Sequence, residues 1–390
     1  MFTHKYLTNA HLKGFDNYKY SAVDTSPLSN YVMHPFWNAT VKFIPKSIAP
    51  NLLTFLGFMC VVAVAAMTFW YDYDWFACGG RQGHQYNGQC EIPNYVFTIG
   101  SVLIFLAYNL DGIDGKQARR LGVSGPLGEM FDHGLDSYIV FLIPFSLFSI
   151  FGRDEFSVPL FRGYLILASV ILNFYVTHCE KYITRVLYLP WGYDVAMWAA
   201  VILFLVAGVF GPGCFKTFVF GEVTFAQALE LAIHATGLFT TLPVSIYNVY
   251  LSYRNRTGNS YSLSEAVRPL WSICSMVAVM TYWGLRSHNV MESYPRAFLL
   301  LFGTLFSNIA SRLIVAEMSG QRCEMFNGLL WPLAAGVAAS LYIPALEWLV
   351  LHSLLWGSIF AHIHYGTCVV RQMCTHFKVK CFVVPKTKRK

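Results

Sequence analysis

The chain has 390 residues, of which 55% are hydrophobic, 17% aromatic and only 13% charged, against about 25% charged in an ordinary soluble domain. Its formal net charge of +7 comes with no nucleic-acid module, so the basic residues read as membrane topology and no nucleic-acid partner is expected. Composition and repeated apolar runs of roughly 20 residues place the chain among all-α polytopic membrane proteins embedded in a lipid bilayer.

Taken in order, residues 1–46 form a polar, aromatic-rich segment without the continuous apolar core of a cleavable signal. The first span then acts as its own insertion signal. Within this segment "SPLSNYVMHPFWNATVKFIPKS" is too broken to cross a membrane and reads as an interfacial amphipathic stretch, bent or broken at Pro35. Residues 47–367 form a transmembrane domain with ten expected spans: 51–71, 94–111, 126–151, 158–180, 194–211, 224–252, 264–285, 296–317, 326–343 and 345–366. Pro344 marks either a kink or a tight turn between the last two. Residues 368–390 form a basic cytosolic tail.

Ten spans put both termini on one side. The opposite loops and adjoining span ends hold Arg81, Arg153, Arg162, Lys216, Arg286 and Arg296, six of the 28 basic residues. The rest gather with the termini, which makes the termini and the loop at 112–125 cytosolic. The sequons at Asn38 and Asn255 fall on that side and are expected to stay unmodified. Cys78 and Cys90 flank a Gly-rich loop after the first span. They pair if that loop faces an oxidising lumen and stay free thiols otherwise. Lys386 and Lys388 in "PKTKRK" resemble a dilysine retrieval signal of the endoplasmic reticulum; the alternative is a polybasic patch on anionic lipid.

The chemistry concentrates in "NLDGIDGKQARRLGVSGPLGEMFDHGLDS", residues 109–137. Asp111 and Asp114 are three apart, Asp132 and Asp136 four apart, so each pair shares a helix face. Two helix ends meeting at one membrane level bring four carboxylates together, a conflict that hard divalent cations resolve. Mg²⁺ or Mn²⁺ bridging carboxylates to substrate phosphates suits this set, with two ions expected. Gly112, Gly115 and Gly128, with the small Ala118, open space for metals and ligand at the backbone; small-residue helix packing explains them as well. Arg119, in register with Asp111 and Gly115, offers a guanidinium fork for a phosphate, while Lys116 and Arg120 either do the same or face lipid headgroups. Glu129 lies one turn before His133 and sets up a carboxylate–imidazole pair. That histidine is either a proton acceptor or a hydrogen-bonding core histidine. Asn51 opens the first span as a helix cap.

The residues from Asp111 to Asp136 meet every fixed position of the CDP-alcohol phosphotransferase signature: Asp111, Asp114-Gly115, Ala118-Arg119, Gly128, Asp132 and Asp136. Beyond it, "FDNYKYSAVDTSPLSNYVMHPFWN", "APNLLTFLGF", "LPWGYD" and "AHIHYG" resemble the eukaryotic choline/ethanolamine phosphotransferases, and the N-terminal stretch most resembles the ethanolaminephosphotransferase branch. The likeness weakens at 78–92 and after His376.

The resemblance implies the CDP-alcohol phosphotransferase fold. It implies transfer of phosphoethanolamine from CDP-ethanolamine to diacylglycerol, with CDP-choline as the alternative donor. It implies metal binding by Asp111, Asp114, Asp132 and Asp136, and substrate contacts at Asn51, Gly115, Ala118, Arg119 and Gly128. His133 would be the general base, tuned by Glu129. A homodimer and an endoplasmic reticulum or Golgi membrane follow in the same way. The rival from another class is a cation transporter, which intramembrane carboxylates also suit; transporters place such sites near the midplane, whereas this charge sits at one face.

Overall fold

The computed structural model describes residues 3–79, 90–189, 191–287 and 289–385. Arg81, Lys386 and Lys388 lie outside these residues. In chain order the helices are α1 (Asn9–Asp16), α2 (His34–Thr40), α3 (Pro50–Tyr71), α4 (Asn94–Leu121), α5 (Pro126–Phe151), α6 (Leu160–Thr184), α7 (Gly192–Phe210), α8 (Phe225–Thr236), α9 (Leu242–Arg254), α10 (Leu263–Ala266), α11 (Arg268–Arg286), α12 (Val290–Ser293), α13 (Pro295–Ser319), α14 (Leu330–Tyr342) and α15 (Glu347–Phe377). Two strand pairs interrupt them: β1 (Ala22–Asp24) runs parallel to β2 (Leu187–Leu189), and β3 (Phe218–Phe220) antiparallel to β4 (Val223–Thr224).

Helices occupy all ten segments expected to span, but among the described residues eight units are long and apolar enough to cross a membrane. They are α3 to α7, the joined α8–α9, α13, and Pro344–Phe377, which contains α15. The shortfall is at α11 and α14. The 13 residues of α14 extend only about 20 Å, short of roughly 30 Å of hydrocarbon. The 19 residues of α11 begin at Arg268 and end at Arg286, so every stretch of 18 includes a charge, and Ser272, Ser275 and Thr281 dilute its apolar content further. Both counts are even. A π-helical turn at Gly237–Thr241 joins α8 to α9 just before Pro243, whose ring and missing N–H disturb the regular ladder. A short 3₁₀ turn at Pro344–Leu346 separates α14 from α15.

Two boundaries differ from expectation in a way that shapes the site. The second span was expected to end at 111, with a loop from 112 to 125. Instead α4 continues to Leu121 and stops where Gly122 adopts φ +66°, a left-handed cap. At 28 residues, α4 is about 42 Å long, so its last turns extend beyond the hydrocarbon. The chain then needs only 122–125 before Pro126 opens α5. At the other end, α15 runs on to Phe377 and buries Cys368, Val369 and Met373, so its final turns belong to the packed body.

Helices α3, α4 and α5 pack on one another, α7 lies against α4, and α13 runs through the centre between α5, α6 and α15. Nearly every residue of α13 is buried. The N-terminal segment is folded onto this body. Phe15 is buried in a cluster with Leu127, Met130, Ile314 and Met318 beneath the start of α5. The N–H groups of Tyr6 and Leu7 donate to Gln372 Oε1 at 2.9 and 3.1 Å, and β1 fastens the chain beside the α6–α7 connection. A π-helical turn at Ser29–Met33 runs directly into α2, so Pro35 lies within a continuous helical stretch that widens locally around its ring and missing N–H instead of breaking there. Cys78 and Cys90 form a disulfide.

Candidate active site

The helix register seen in the sequence delivers its carboxylates to one place. Asp111 and Asp114 project from the later part of α4, and Asp132 and Asp136 from the first three turns of α5. Ligand oxygens of Asp111, Asp114 and Asp132 lie within 4.8 Å of one another. Asp136 does not complete that set. It forms a second group of the same tightness with Asp132 and His133, so Asp132 is shared by both.

Neighbouring hydroxyls hold this arrangement. Thr54 on α3 donates to Asp114 Oδ2. Tyr193 at the start of α7 donates to Asp111 Oδ2 at 2.9 Å, and Tyr108 donates to Asp194 beside it at 2.5 Å. These bonds orient the carboxylates as outer partners orient metal ligands. Asp132 Oδ1, by contrast, is buried without a hydrogen-bond partner. An anionic oxygen withdrawn from water and left unpaired is costly. A divalent cation among the three aspartates would supply the missing partner, and an all-oxygen donor set suits Mg²⁺ or Mn²⁺. The residues therefore fit the expected metal.

The glycines divide by role. A Cβ on Gly112 would stand 2.2 Å from Cε2 of Trp37, whose indole donates to Asn109 at 3.0 Å. Gly112 thus admits a side chain of the N-terminal segment, and the expectation that it clears space for metal or ligand is corrected. Gly115 leaves room for Arg119, whose guanidinium folds to within 3.6 Å of the position a Cβ would take. Gly128 faces Asn51 Oδ1 at 3.5 Å on the same basis. Ala118 is half-buried one turn beyond Asp114.

The three basic residues also separate. Lys116 bonds Asn38 at 2.9 Å. Arg120 donates to the carbonyls of Val41 and Ile44 at 2.7 Å each. Both hold the N-terminal segment, whereas Arg119 is exposed on the register of Asp111 and Gly115. Asn51 does not cap its helix: the cap position is Ala49 and no side chain bonds there. Pro50 takes the first helical position, and the Asn51 amide donates instead to the Cys381 carbonyl at 3.1 Å. The segment after α15 therefore lies against the beginning of α3, with Phe382 packed near Phe55 and Phe131.

His133 is buried beside Asp132 and Asp136. Its Nε2 faces Asp132 at 3.9 Å and its Nδ1 faces Glu129 Oε1 at 3.9 Å. The expected Glu129–His133 pair is thus close without a direct hydrogen bond, and Nδ1 has no bonding partner. The reason is competition. Glu129 Oε1 already accepts from Lys181 Nζ at 2.6 Å and from the Tyr18 hydroxyl at 2.5 Å. Burial pushes the Tyr18 phenol well above its usual range, so it remains a donor. Lys181 also meets Glu317 at 3.0 Å, and Glu317 meets His178 at 3.2 Å.

Residues 47–220 match the family described as CDP-alcohol phosphatidyltransferase. A Mus musculus protein named Ethanolaminephosphotransferase 1 is 41% identical over 388 residues, covering 98% of this chain and 96% of its own length. The chain belongs to the CDP-alcohol phosphatidyltransferase family. The Homo sapiens protein of the same name is 40% identical over 390 residues, with the same coverage. An Arabidopsis thaliana member named Choline/ethanolaminephosphotransferase 1 is 27% identical over 399 residues, covering 95% of this chain and 96% of its own length.

As a member of this family, the chain places its four aspartates, Glu129, His133, Lys181 and Tyr193 within the matched region, while Tyr18 and Glu317 come from outside it. Sequence reasoning singled out none of Tyr18, Thr54, His178, Lys181, Tyr193 and Glu317. Two local signals were available: Thr54 follows Asn51 by one helical turn, and Lys181 is a charge at the end of an apolar run.

Proposed function

We propose that this protein transfers phosphoethanolamine from CDP-ethanolamine to the free hydroxyl of diacylglycerol, giving phosphatidylethanolamine and CMP. The observation that carries the reading is the Asp111–Asp114–Asp132 group with its unpaired, buried Asp132 oxygen, in a chain akin over nearly its whole length to proteins named for ethanolamine transfer.

The residues divide the work. Asp111, Asp114, Asp132 and Asp136 would hold the two expected Mg²⁺ or Mn²⁺ ions. When bound, these supply positive charge against the pyrophosphate and the departing CMP. Arg119 grips a phosphate of the donor. Gly115, Ala118 and Gly128 leave room for it, and Asn51 contacts it after releasing Cys381. His133 Nε2, turned toward the aspartates, takes the proton as the glycerol oxygen bonds to the phosphorus bearing ethanolamine. The phosphorus–oxygen bond to CMP breaks as that new bond forms. Placement contributes to rate because a water-soluble donor and a bilayer-held acceptor must meet in line.

The site's height accords with this. Asp132 lies about 9 Å along α5 from its first residue, near one membrane face, whereas a transporter needs its site near the midplane. The favoured orientation has that face and both termini in the cytosol, in the endoplasmic reticulum or Golgi membrane.

A second donor is favoured by one observation, the Arabidopsis relatives named for both choline and ethanolamine. Purified protein in diacylglycerol-containing vesicles, offered equal CDP-ethanolamine and CDP-choline, is expected to make mainly phosphatidylethanolamine. Predominant phosphatidylcholine would transfer the reading to the choline donor. No CMP release with either would reject the transferase reading.

A further inference from the structure

Lys181 is buried in the last turn of α6, between carboxylates from two other helices. Its ammonium lies 2.6 Å from Glu129 Oε1 on α5 and 3.0 Å from Glu317 Oε1 on α13. Tyr18 reaches the same Glu129 oxygen from the N-terminal segment at 2.5 Å. Beyond these carboxylates stand two imidazoles. His133 Nδ1 is 3.9 Å from Glu129 Oε1, His178 Nδ1 is 3.2 Å from Glu317, and the two ring centroids are 5.4 Å apart. Four separate parts of the chain thus converge behind one histidine.

Buried ion pairs are weak stabilisers, and well-packed apolar replacements often do as well. Stability alone therefore does not account for a lysine here. Its geometry has a more specific consequence. Glu129 Oε1 is fixed by two strong donors, so it cannot swing onto His133 or toward the aspartates. His133 in turn keeps Nε2 directed at Asp132. His133, His178 and Glu317 are also close enough to share a cation, but the ammonium 3.0 Å from Glu317 opposes one.

We infer that Lys181 and Tyr18 are positioning residues for the proton-accepting histidine: they clamp the Glu129 carboxylate behind His133 so that its Nε2 faces the acceptor hydroxyl. The inference rests on His133 being that proton acceptor. Both residues bond Glu129, and through it they act on turnover.

The test compares Lys181→Met, Tyr18→Phe, Lys181→Met/Glu317→Gln and His133→Ala in the full-length protein, in vesicles with CDP-ethanolamine and diacylglycerol. Lys181→Met is expected to lower kcat by about 10- to 100-fold, the scale of a misplaced catalytic group, and to leave the KM for CDP-ethanolamine unchanged. Tyr18→Phe acts in the same direction and less strongly, because the ammonium still holds Glu129. The double variant removes the lysine together with one of its two carboxylates. It is expected to recover thermal stability while kcat stays low. Wild-type kcat in Lys181→Met, or its return in the double variant, overturns the inference and leaves Lys181 as a neutraliser of Glu317. A raised KM with unchanged kcat overturns it as well. His133→Ala separates the two levels. If it keeps its rate, the proton-acceptor reading falls and takes this one with it; if it is inactive while Lys181→Met is normal, only the positioning inference falls.

Discussion

Asp132→Asn is expected to reduce phosphatidylethanolamine formation by on the order of a thousandfold, the several kcal/mol that metal-held charge contributes to a transition state. Asp132 is the aspartate to change because it belongs to both acidic groups, and its Oδ1 is the buried oxygen without a partner. Asparagine keeps the volume and removes the charge, so α5 should pack as before. Divalent-cation binding, followed calorimetrically on the purified protein, should weaken in parallel with CMP release. Loss of activity with unchanged cation affinity would remove Asp132 from the ligand set. Full activity would remove the metal site from the mechanism.

His133→Ala is expected to lower turnover by about 10²- to 10⁴-fold, the usual contribution of a placed general base, while the affinity for CDP-ethanolamine stays near its original value. The separation follows from position. His133 faces the aspartates only through Nε2, 3.9 Å from Asp132, and its other nitrogen points at Glu129. Equilibrium binding of labelled CDP-ethanolamine without diacylglycerol, beside steady-state CMP release, checks both halves. A near-normal rate would move the proton acceptor elsewhere, with Asp136, in the same group as His133, the next residue to test.

The parts of this site readable from sequence were those that local spacing determines. Intervals of three and four residues put Asp111 with Asp114 and Asp132 with Asp136 on shared helix faces, and the limits 126–151 coincide with α5. Boundaries set by something other than hydropathy were misread. The apolar run ends near 111, but the helix does not, because leaving hydrocarbon does not unwind a backbone whose hydrogen bonds are internal; Gly122 stops it. Ten helical segments were visible, yet α14 proved too short to cross, since apolar content reports burial in protein as well as in lipid. Asn51 looked like a cap by residue type, but Pro50 already occupies the first helical position and Asn51 holds the chain at Cys381. Gly112 read as space for a ligand or as small-residue packing, and it is packing, against Trp37 from 75 residues upstream in the numbering. Tyr18, Lys181, Tyr193 and Glu317 reach the site through the β1–β2 pairing and the packing of α6, α7 and α13. No local pattern records such contacts.

Metal-dependent transfer at the aspartate cluster is the central claim. Purified protein in diacylglycerol-containing vesicles, given CDP-ethanolamine first with Mg²⁺ or Mn²⁺ and then with excess EDTA, measures it. The expected result is equimolar phosphatidylethanolamine and CMP with the metal, neither after chelation, and recovery when the cation is restored. Undiminished product in excess EDTA would contradict it.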